Sequence, residues 1–91
     1  MLTFEWDELK DRANIRKHRV SFDEAKTVFN DPAALTLADP DHSLDEERYL
    51  DLGLSTHGAL LVVSYTERSD SIRIISCRKA TRRERMLYEA R

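Results

Sequence analysis

The sequence predicts an α+β fold, with two helices near the N-terminus, a small antiparallel sheet of about four strands, and a C-terminal helix. Capping-box patterns, in which Ser or Thr precedes Glu by three residues, occur at 21–24 and 81–84 and mark helix starts. Between them, segments within residues 48–78 are alternating or continuously apolar and are separated by polar turns, as is typical of strands. Helices at both ends of a block of strands define the class.

The N-terminal third is predicted to be mainly helical. Thr3–Trp6 is interpreted as a short strand, and Asp7 as the N-cap of a helix that runs to about His18. A second helix is expected over Phe22–Phe29. It stops at Asn30-Asp31-Pro32, because proline cannot continue a helix and biases the preceding residue away from helical geometry.

The rest of the chain is predicted to form the sheet and the last helix. In chain order the strands are Ala34–Ala38, Arg48–Ser55, Ala59–Thr66 and Ile72–Arg78. A turn is expected at residues 39–43, where the sequence is D-P-D-H-S, and a tight hairpin at Gly58, which can adopt positive φ. The final helix begins after Thr81.

Length and composition restrict the classes of protein. Ninety-one residues, 41% of them hydrophobic, allow one small domain over residues 1–91. The single cysteine, Cys77, excludes an internal disulfide and fits a reducing compartment. We see no signal peptide and no apolar run of 18 residues, so we expect a cytoplasmic protein.

Charge is distributed unevenly along the chain. From Arg68 to the C-terminus there are eight Lys and Arg residues against three Asp and Glu residues, whereas the preceding 67 residues hold seven basic and 14 acidic residues. The formal net charge of −2 conceals this asymmetry. Guanidinium groups are permanently charged and fork-shaped, which suits them to phosphate. The C-terminal end therefore indicates an anionic ligand.

The sequence resembles the BrnT family of toxins from bacterial type II toxin–antitoxin pairs, over essentially its whole length. The matching motifs are F-E-W-D at 4–7, K-H at 17–18, V-S-F-D-E-A at 20–25, V-F-N-D-P at 28–32, D-P-D-H-S at 39–43, E-R at 47–48, G at 53, Y-T-E-R at 65–68, I-R-I-I-S-C-R-K-A-T-R-R-E-R at 72–85 and Y-E at 88–89. The chain departs from the family pattern at Arg19, where glycine is usual. An arginine disfavours the left-handed helix end that glycine permits.

The resemblance implies a ribonuclease toxin with a fold similar to the RelE group of mRNA-cleaving toxins. It also implies a co-encoded BrnA-type antitoxin with a ribbon-helix-helix DNA-binding part. The toxin–antitoxin complex, rather than the toxin alone, would bind operator DNA and repress its own operon. A membrane partner is not expected.

Two arginines of the last strand are candidate catalytic residues. Metal-independent RNA cleavage by 2′-hydroxyl attack needs fixed cationic donors near the phosphorane, and Arg73 is the first choice for this role, with Arg78 second. Their odd separation points them to opposite faces of a regular strand, so they converge only if the strand bends or bulges. The alternatives are ion pairs, of Arg73 with an acidic side chain on a solvated sheet face and of Arg78 with Glu84 or the acidic segment.

The other candidates are one carboxylate and four basic residues. Glu67 is the candidate general base, and a structural salt bridge to an arginine is an equally good interpretation. Arg82 and Arg83 are candidate RNA contacts in the first turn of the last helix, and the alternative is that both pair with the acidic run at 39–51. Lys17 and His18 are explained by the dipole of the first helix alone. If they approach the arginine strand, they become RNA-binding candidates, and His18 becomes a candidate proton donor.

No cofactor and no metal site are expected. The histidines are scattered, without the close ligand spacing of a zinc site. A rival interpretation from another class is a non-catalytic binding module, in which the arginine surface only docks a protein partner or nucleic acid. It explains the charge asymmetry equally well.

Overall fold

The computed structural model describes residues 2–39 and 47–90. The elements, in chain order, are β1 (Thr3–Glu5), α1 (Glu8–His18), α2 (Phe22–Ala25), a 3-10 helix (Lys26–Asn30), β2 (Leu35–Ala38), β3 (Tyr49–Leu54), β4 (Leu60–Arg68), β5 (Ser71–Lys79) and α3 (Arg82–Glu89). The predicted turn at 39–43 lies outside the described residues from position 40 onward. No helix in the described ranges is long and apolar enough to cross a bilayer.

The strands form one mixed sheet in the order β1-β5-β4-β3-β2. The predicted α+β class is confirmed, but the prediction of about four antiparallel strands is wrong, because β1 joins the sheet as a fifth strand, parallel to β5. Its three-residue pattern gives no information about a pairing partner 68 residues away. Phe4 pairs with Ile72 and its ring lies against Phe29, so this strand adds to the core.

The second helix is shorter than the sequence predicts. Its α-helical part ends at Ala25, and the chain continues as a 3-10 helix to Asn30. The Thr27 hydroxyl donates to the carbonyl of Glu24 at 2.6 Å, which is the acceptor that an α-helix would offer to Val28. Such local side-chain bonds compete with the α-helical pattern. Only half of the predicted capping box is seen, since Ser21 accepts from the Glu24 N–H while the Glu24 carboxylate accepts from Ser55.

The two faces of the sheet are covered differently. The face that we call the α1 face carries the main core, beneath α1, α2 and the 3-10 helix. The other face, which we call the α3 face, has a smaller cluster of Leu52, Leu60 and Val62 packed against Ala80 and Tyr88. No residue of α3 is itself buried. The α3 face is therefore covered only in part.

Asn14 fastens α1 to β5 through its side-chain amide. The amide nitrogen donates to the carbonyls of Val20 and Cys77, at 2.9 and 2.8 Å, and the amide oxygen accepts from the Cys77 N–H at 3.0 Å. β1 pairs with β5 only over residues 71–73, so further along this edge Asn14 takes the place of a neighbouring strand. Three buried backbone groups are satisfied by one side chain.

The turn after α1 is left-handed. Arg19 adopts φ 61° and ψ 31°, and its N–H donates to the Ile15 carbonyl at 2.9 Å. The helix therefore keeps the ending that glycine would favour, although arginine disfavours it. A side chain in this conformation costs about 1 kcal/mol relative to glycine.

We expect Asn14→Ala to lower the free energy of unfolding by roughly 3 kcal/mol, because three hydrogen bonds are lost and buried backbone groups are left without partners. Urea denaturation followed by circular dichroism measures this change. Arg12→Ala, an exposed position on the same helix, is the control and should change stability by less than about 0.5 kcal/mol. Equal stability of the two variants would contradict the structural role of Asn14.

Arg19→Gly should raise the free energy of unfolding by roughly 0.5–1 kcal/mol, because it relieves the left-handed strain. The matched control is Arg16→Gly within the helix, where glycine should destabilise by about 0.5–1 kcal/mol. The same denaturation measurement compares them, and a destabilised Arg19→Gly protein would show that the arginine makes a compensating contact.

Candidate functional site

A β-bulge in β5 decides which side chains reach the α3 face. Ser64 pairs with Ser76 and Tyr65 pairs with Ile74, so Ile75 is an extra residue in the ladder. Such a residue shifts the alternation of side chains by one position. Ile74 and Cys77 therefore both join the main core, and Arg73 and Arg78 both fall on the α3 face. The bulge that the odd spacing of these two arginines requires is therefore present.

The bulge lies at the boundary between two cavities. The first is a groove of about 340 Å³ on the α3 face, which we call the sheet groove. Arg48 and Arg78 supply its basic side chains, Ser64 and Ser76 its hydroxyls, and Asp39 its carboxylate. Arg48 was not singled out from the sequence. The available signal is its position two residues before Leu50, which places it on the α3 face.

Arg78 is held in the sheet groove by Glu84. Two guanidinium nitrogens donate to the two carboxylate oxygens at 2.8 and 2.9 Å, and one of them also donates to the Lys79 carbonyl at 3.3 Å. The same carboxylate accepts the Thr81 N–H at 2.8 Å and completes the predicted capping box of α3. The Arg78 side chain remains 40% exposed. It is thus ion-paired, fixed in direction and still open to the groove.

The pairing changes the acidity of both partners. Hydrogen bonds from Arg78 lower the pKa of Glu84 to about 2, and backbone donation from Thr81 acts in the same direction. The bond to Glu84 raises the pKa of Arg78. Glu84 therefore stays ionised throughout the physiological range and is a positioning group for Arg78.

Arg73 lies elsewhere on β5. Its guanidinium donates to Glu5 of β1 at 2.9 Å, and its side chain is 31% exposed. It is not among the described residues that line the sheet groove. With the bulge counted, it is about four strand steps, or roughly 13 Å, from Arg78. The structure places the two arginines on one face, but it pairs each with its own carboxylate and does not bring them to one point.

Glu67 is exposed and lies on the α1 face, because it follows Tyr65 by two residues on β4 and pairs with Ile72. Burial is the main reason that the pKa of Tyr65 is raised, with the hydrogen bond to Asp51 next, and the charge of Glu67 adds to it. This carboxylate is therefore close to the tyrosines of the α1 face. It is on the opposite side of the sheet from Arg78.

Lys17 and His18 do approach the arginine strand. They line the second cavity, of about 230 Å³, together with Lys10, Asn14, Ile75 and Ser76. We call this cavity the α1 groove. It shares Ile75 and Ser76 with the sheet groove, so the two cavities meet at the bulge. Lys10 was missed in the sequence, although its seven-residue spacing from Lys17 puts both on one side of a helix.

Arg82 and Arg83 are exposed in the first turn of α3. The capping box already occupies this helix terminus, through Thr81 and Glu84. Neither arginine is among the described residues that line the two grooves. They lie within six residues of Arg78 and add positive charge beside the sheet groove.

Neither a reactive thiol nor a metal site is found among the described residues. The Cys77 thiol is buried, and burial raises its pKa to about 12, which makes it a core side chain rather than a nucleophile. Over residues 2–39 and 47–90, no three His, Cys, Asp or Glu side chains gather as a metal site. The charged side chains that line the sheet groove are two arginines, Arg48 and Arg78, and one carboxylate, Asp39.

The fold and its grooves define the class as a small α+β protein with a basic cleft beside a bulged strand. Residues 6–84 match the family model described as the ribonuclease toxin BrnT of type II toxin–antitoxin systems. The chain belongs to this family, and the resemblance seen in the sequence is confirmed.

A solved structure supports the fold. The crystal structure of the Brucella abortus ribonuclease toxin BrnT superposes with a TM-score of 0.68 at 22% sequence identity, covering 90% of this chain and 99% of that chain. At this level of identity the similarity bears on the fold. A comparison with curated protein sequences finds no match.

We expect Glu84→Gln to lower the free energy of unfolding at neutral pH. The loss should become smaller as the pH falls. A carboxyl whose pKa is lowered on folding, here from an ordinary value of 4.5 to about 2, stabilises the fold above pH 4.5. This contribution is lost as the pH falls towards 2. The gap between the urea midpoints of the parental and Glu84→Gln proteins should therefore narrow as the pH falls from 5 towards 2. A constant gap would contradict the ion pair.

Proposed function

We propose that this protein is the toxin of a type II toxin–antitoxin system and that it inhibits growth and translation as a metal-independent endoribonuclease. RNA would be cleaved by attack of its own 2′-hydroxyl on the adjacent phosphate. The observation that carries the proposal is the sheet groove, in which Arg78 is fixed by Glu84 while keeping an exposed guanidinium surface. Membership in a ribonuclease toxin family supports the same chemistry.

Arg78 is the best-placed group to stabilise the phosphorane. A guanidinium has five N–H donors, and three contacts account for its bonds to Glu84 and Lys79. The remaining donors are available to phosphate oxygens. Because the side chain is already held in one direction, little reorganisation is needed as charge develops, which is the condition for effective electrostatic catalysis. Arg48, on the same groove, is a second candidate contact for the scissile phosphate.

The sequence ranks Arg73 above Arg78, whereas the groove favours the reverse order. Arg73 is paired with Glu5 and does not line the groove, so a contact with the same phosphate requires that ion pair to open. The two rankings predict opposite results when each arginine is replaced by alanine. Arg82 and Arg83 remain proposed RNA contacts, because they extend the basic surface from the groove along the first turn of α3.

Proton transfer is assigned to His18 in this proposal. It lines the α1 groove next to Ser76, and an imidazole can both take and give a proton near neutral pH. Glu67, the candidate base from the sequence, faces the other side of the sheet, so we assign it no step at Arg78. It is also not among the described residues that line either groove.

The antitoxin is proposed to be a BrnA-type protein with a ribbon-helix-helix part, whose complex with this chain represses the operon. Family membership supports an antitoxin partner. The exposed basic residues of α3, together with the exposed Met86 and Leu87, favour an acidic, partly apolar segment of that partner. Such a segment would cover the sheet groove and exclude RNA.

We expect Arg78→Ala to lower the rate of RNA cleavage about 10²–10³-fold, as is typical when one fixed donor to the developing charge is removed. Arg73→Ala should have the smaller effect. The assay uses purified protein and RNA in EDTA and detects 2′,3′-cyclic phosphate ends. Urea denaturation verifies folding of both variants, and Arg78→Lys tests whether charge without the fork restores activity.

Three outcomes would each overturn a different part of this proposal. Cleavage by Arg78→Ala at the parental rate removes Arg78 from the mechanism, and loss of activity in Arg73→Ala alone supports the sequence-based ranking. If the parental protein binds RNA but generates no new ends, the chain is a binding module.

A further inference from the structure

We propose that the α1 groove is a second anion subsite, in which Lys10 and Lys17 hold a phosphate of single-stranded RNA adjacent to the one at Arg78. The proposal rests on the proposed RNA substrate and specifies its path. The strand would leave the sheet groove, cross the edge of β5 at Ile75 and Ser76, and continue along α1.

The first argument is continuity. Ile75 and Ser76 both line the sheet groove and the α1 groove, so the two grooves meet at the bulge. β1 stops pairing at Arg73 and Asn14 bonds to the edge at Cys77, so at Ile75 and Ser76 no described strand occupies the edge. Ser76 is exposed. A flexible chain can therefore pass from one groove to the other without displacing any described element of the fold.

The second argument is electrostatic. The described residues that line the α1 groove include Lys10, Lys17 and His18 but no Asp or Glu. Among ion pairs between described residues, none involves either lysine, whereas Lys26, Arg73 and Arg78 each have a carboxylate partner. Two ammonium groups that are not neutralised, beside a cavity without acidic residues, favour an anion.

The third argument is rigidity. Lys10 and Lys17 lie two helical turns apart, about 10 Å along α1, and Asn14 lies between them on the same side. Asn14 is buried and bonds to the backbone of β5 at Cys77. The two lysines are thus carried by a helix that is fixed to the bulged strand, at a set distance from Arg78. Flexible side chains on a fixed helix suit a backbone contact better than recognition of a base.

The test compares Lys10→Ala/Lys17→Ala with Arg12→Ala/Arg16→Ala. Both double variants remove two exposed cations from α1, but Arg12 and Arg16 do not line the groove. Alanine is the best helix former, so both should fold. The probe is a 2′-O-methyl RNA 12-mer, which cannot be cleaved by 2′-hydroxyl attack, and its affinity is measured as a function of salt concentration.

Two phosphate contacts on a single strand contribute about 1.4 to the slope of log affinity against log salt. We expect the lysine variant to lose this amount and the arginine variant to lose little. In cleavage assays, KM for the unmodified 12-mer should rise about tenfold in the lysine variant and stay at the parental value in the arginine variant. The rise should be smaller on a dinucleotide, because a dinucleotide spans only the site at Arg78.

Equal slopes and KM values in the two double variants would overturn the subsite. The proposed nuclease function is tested separately: it is wrong if the parental protein cleaves neither the unmodified 12-mer nor the dinucleotide. In that case a slope reduced only in the lysine variant still supports the subsite as an RNA-binding surface.

Discussion

The contact between Asn14 and the backbone of Cys77 is the interaction on which the geometry of this protein depends. It closes the edge of β5 where β1 no longer does, and it sets the distance between α1 and the strand. A buried amide is a demanding choice for this role, since unpaired polar groups are costly. Its three short bonds make it specific, because a shift of the helix along the strand would leave donors and acceptors without partners. The α1 groove is lined by residues of α1 and β5, so this contact also holds together its two sides.

The bulge at Ile75 acts together with that contact. A regular strand would have pointed one of the two arginines into the apolar core, where a charge without a partner is strongly unfavourable. The extra residue lets Ile74 and Cys77 pack inward and keeps both arginines on the α3 face. Core packing and the basic surface are thereby reconciled within one strand. The same residue also joins the two grooves, so a local irregularity of the ladder shapes the site.

Local features of the fold could be predicted from the sequence, and long-range ones could not. Capping at Thr81 and the end of α1 at His18 depend on neighbouring residues, and both are found as expected. The pairing of β1 with β5 and the 3-10 continuation of α2 depend on partners distant in sequence or on a competing hydroxyl. For the site, the positive charge of β5 could be read from the sequence, and the ion pair of Arg78 with Glu84 was one of the alternatives. Glu5 could not be identified as the partner of Arg73, because their pairing depends on the contact between β1 and β5. Lys10 and Arg48 appear only once the strands and α1 are assembled.

Pairing with Glu84 has opposite effects on Arg78 at long and short range. At a distance the two charges cancel, so this arginine contributes little to the attraction of an anionic strand. In contact, its free N–H donors are already aligned and lose little entropy when they bind phosphate. Attraction must then come from cations that are not neutralised, and Lys10 and Lys17 are such groups. Capture of the strand and stabilisation of its transition state would thus be divided between the two grooves, with the bulge between them.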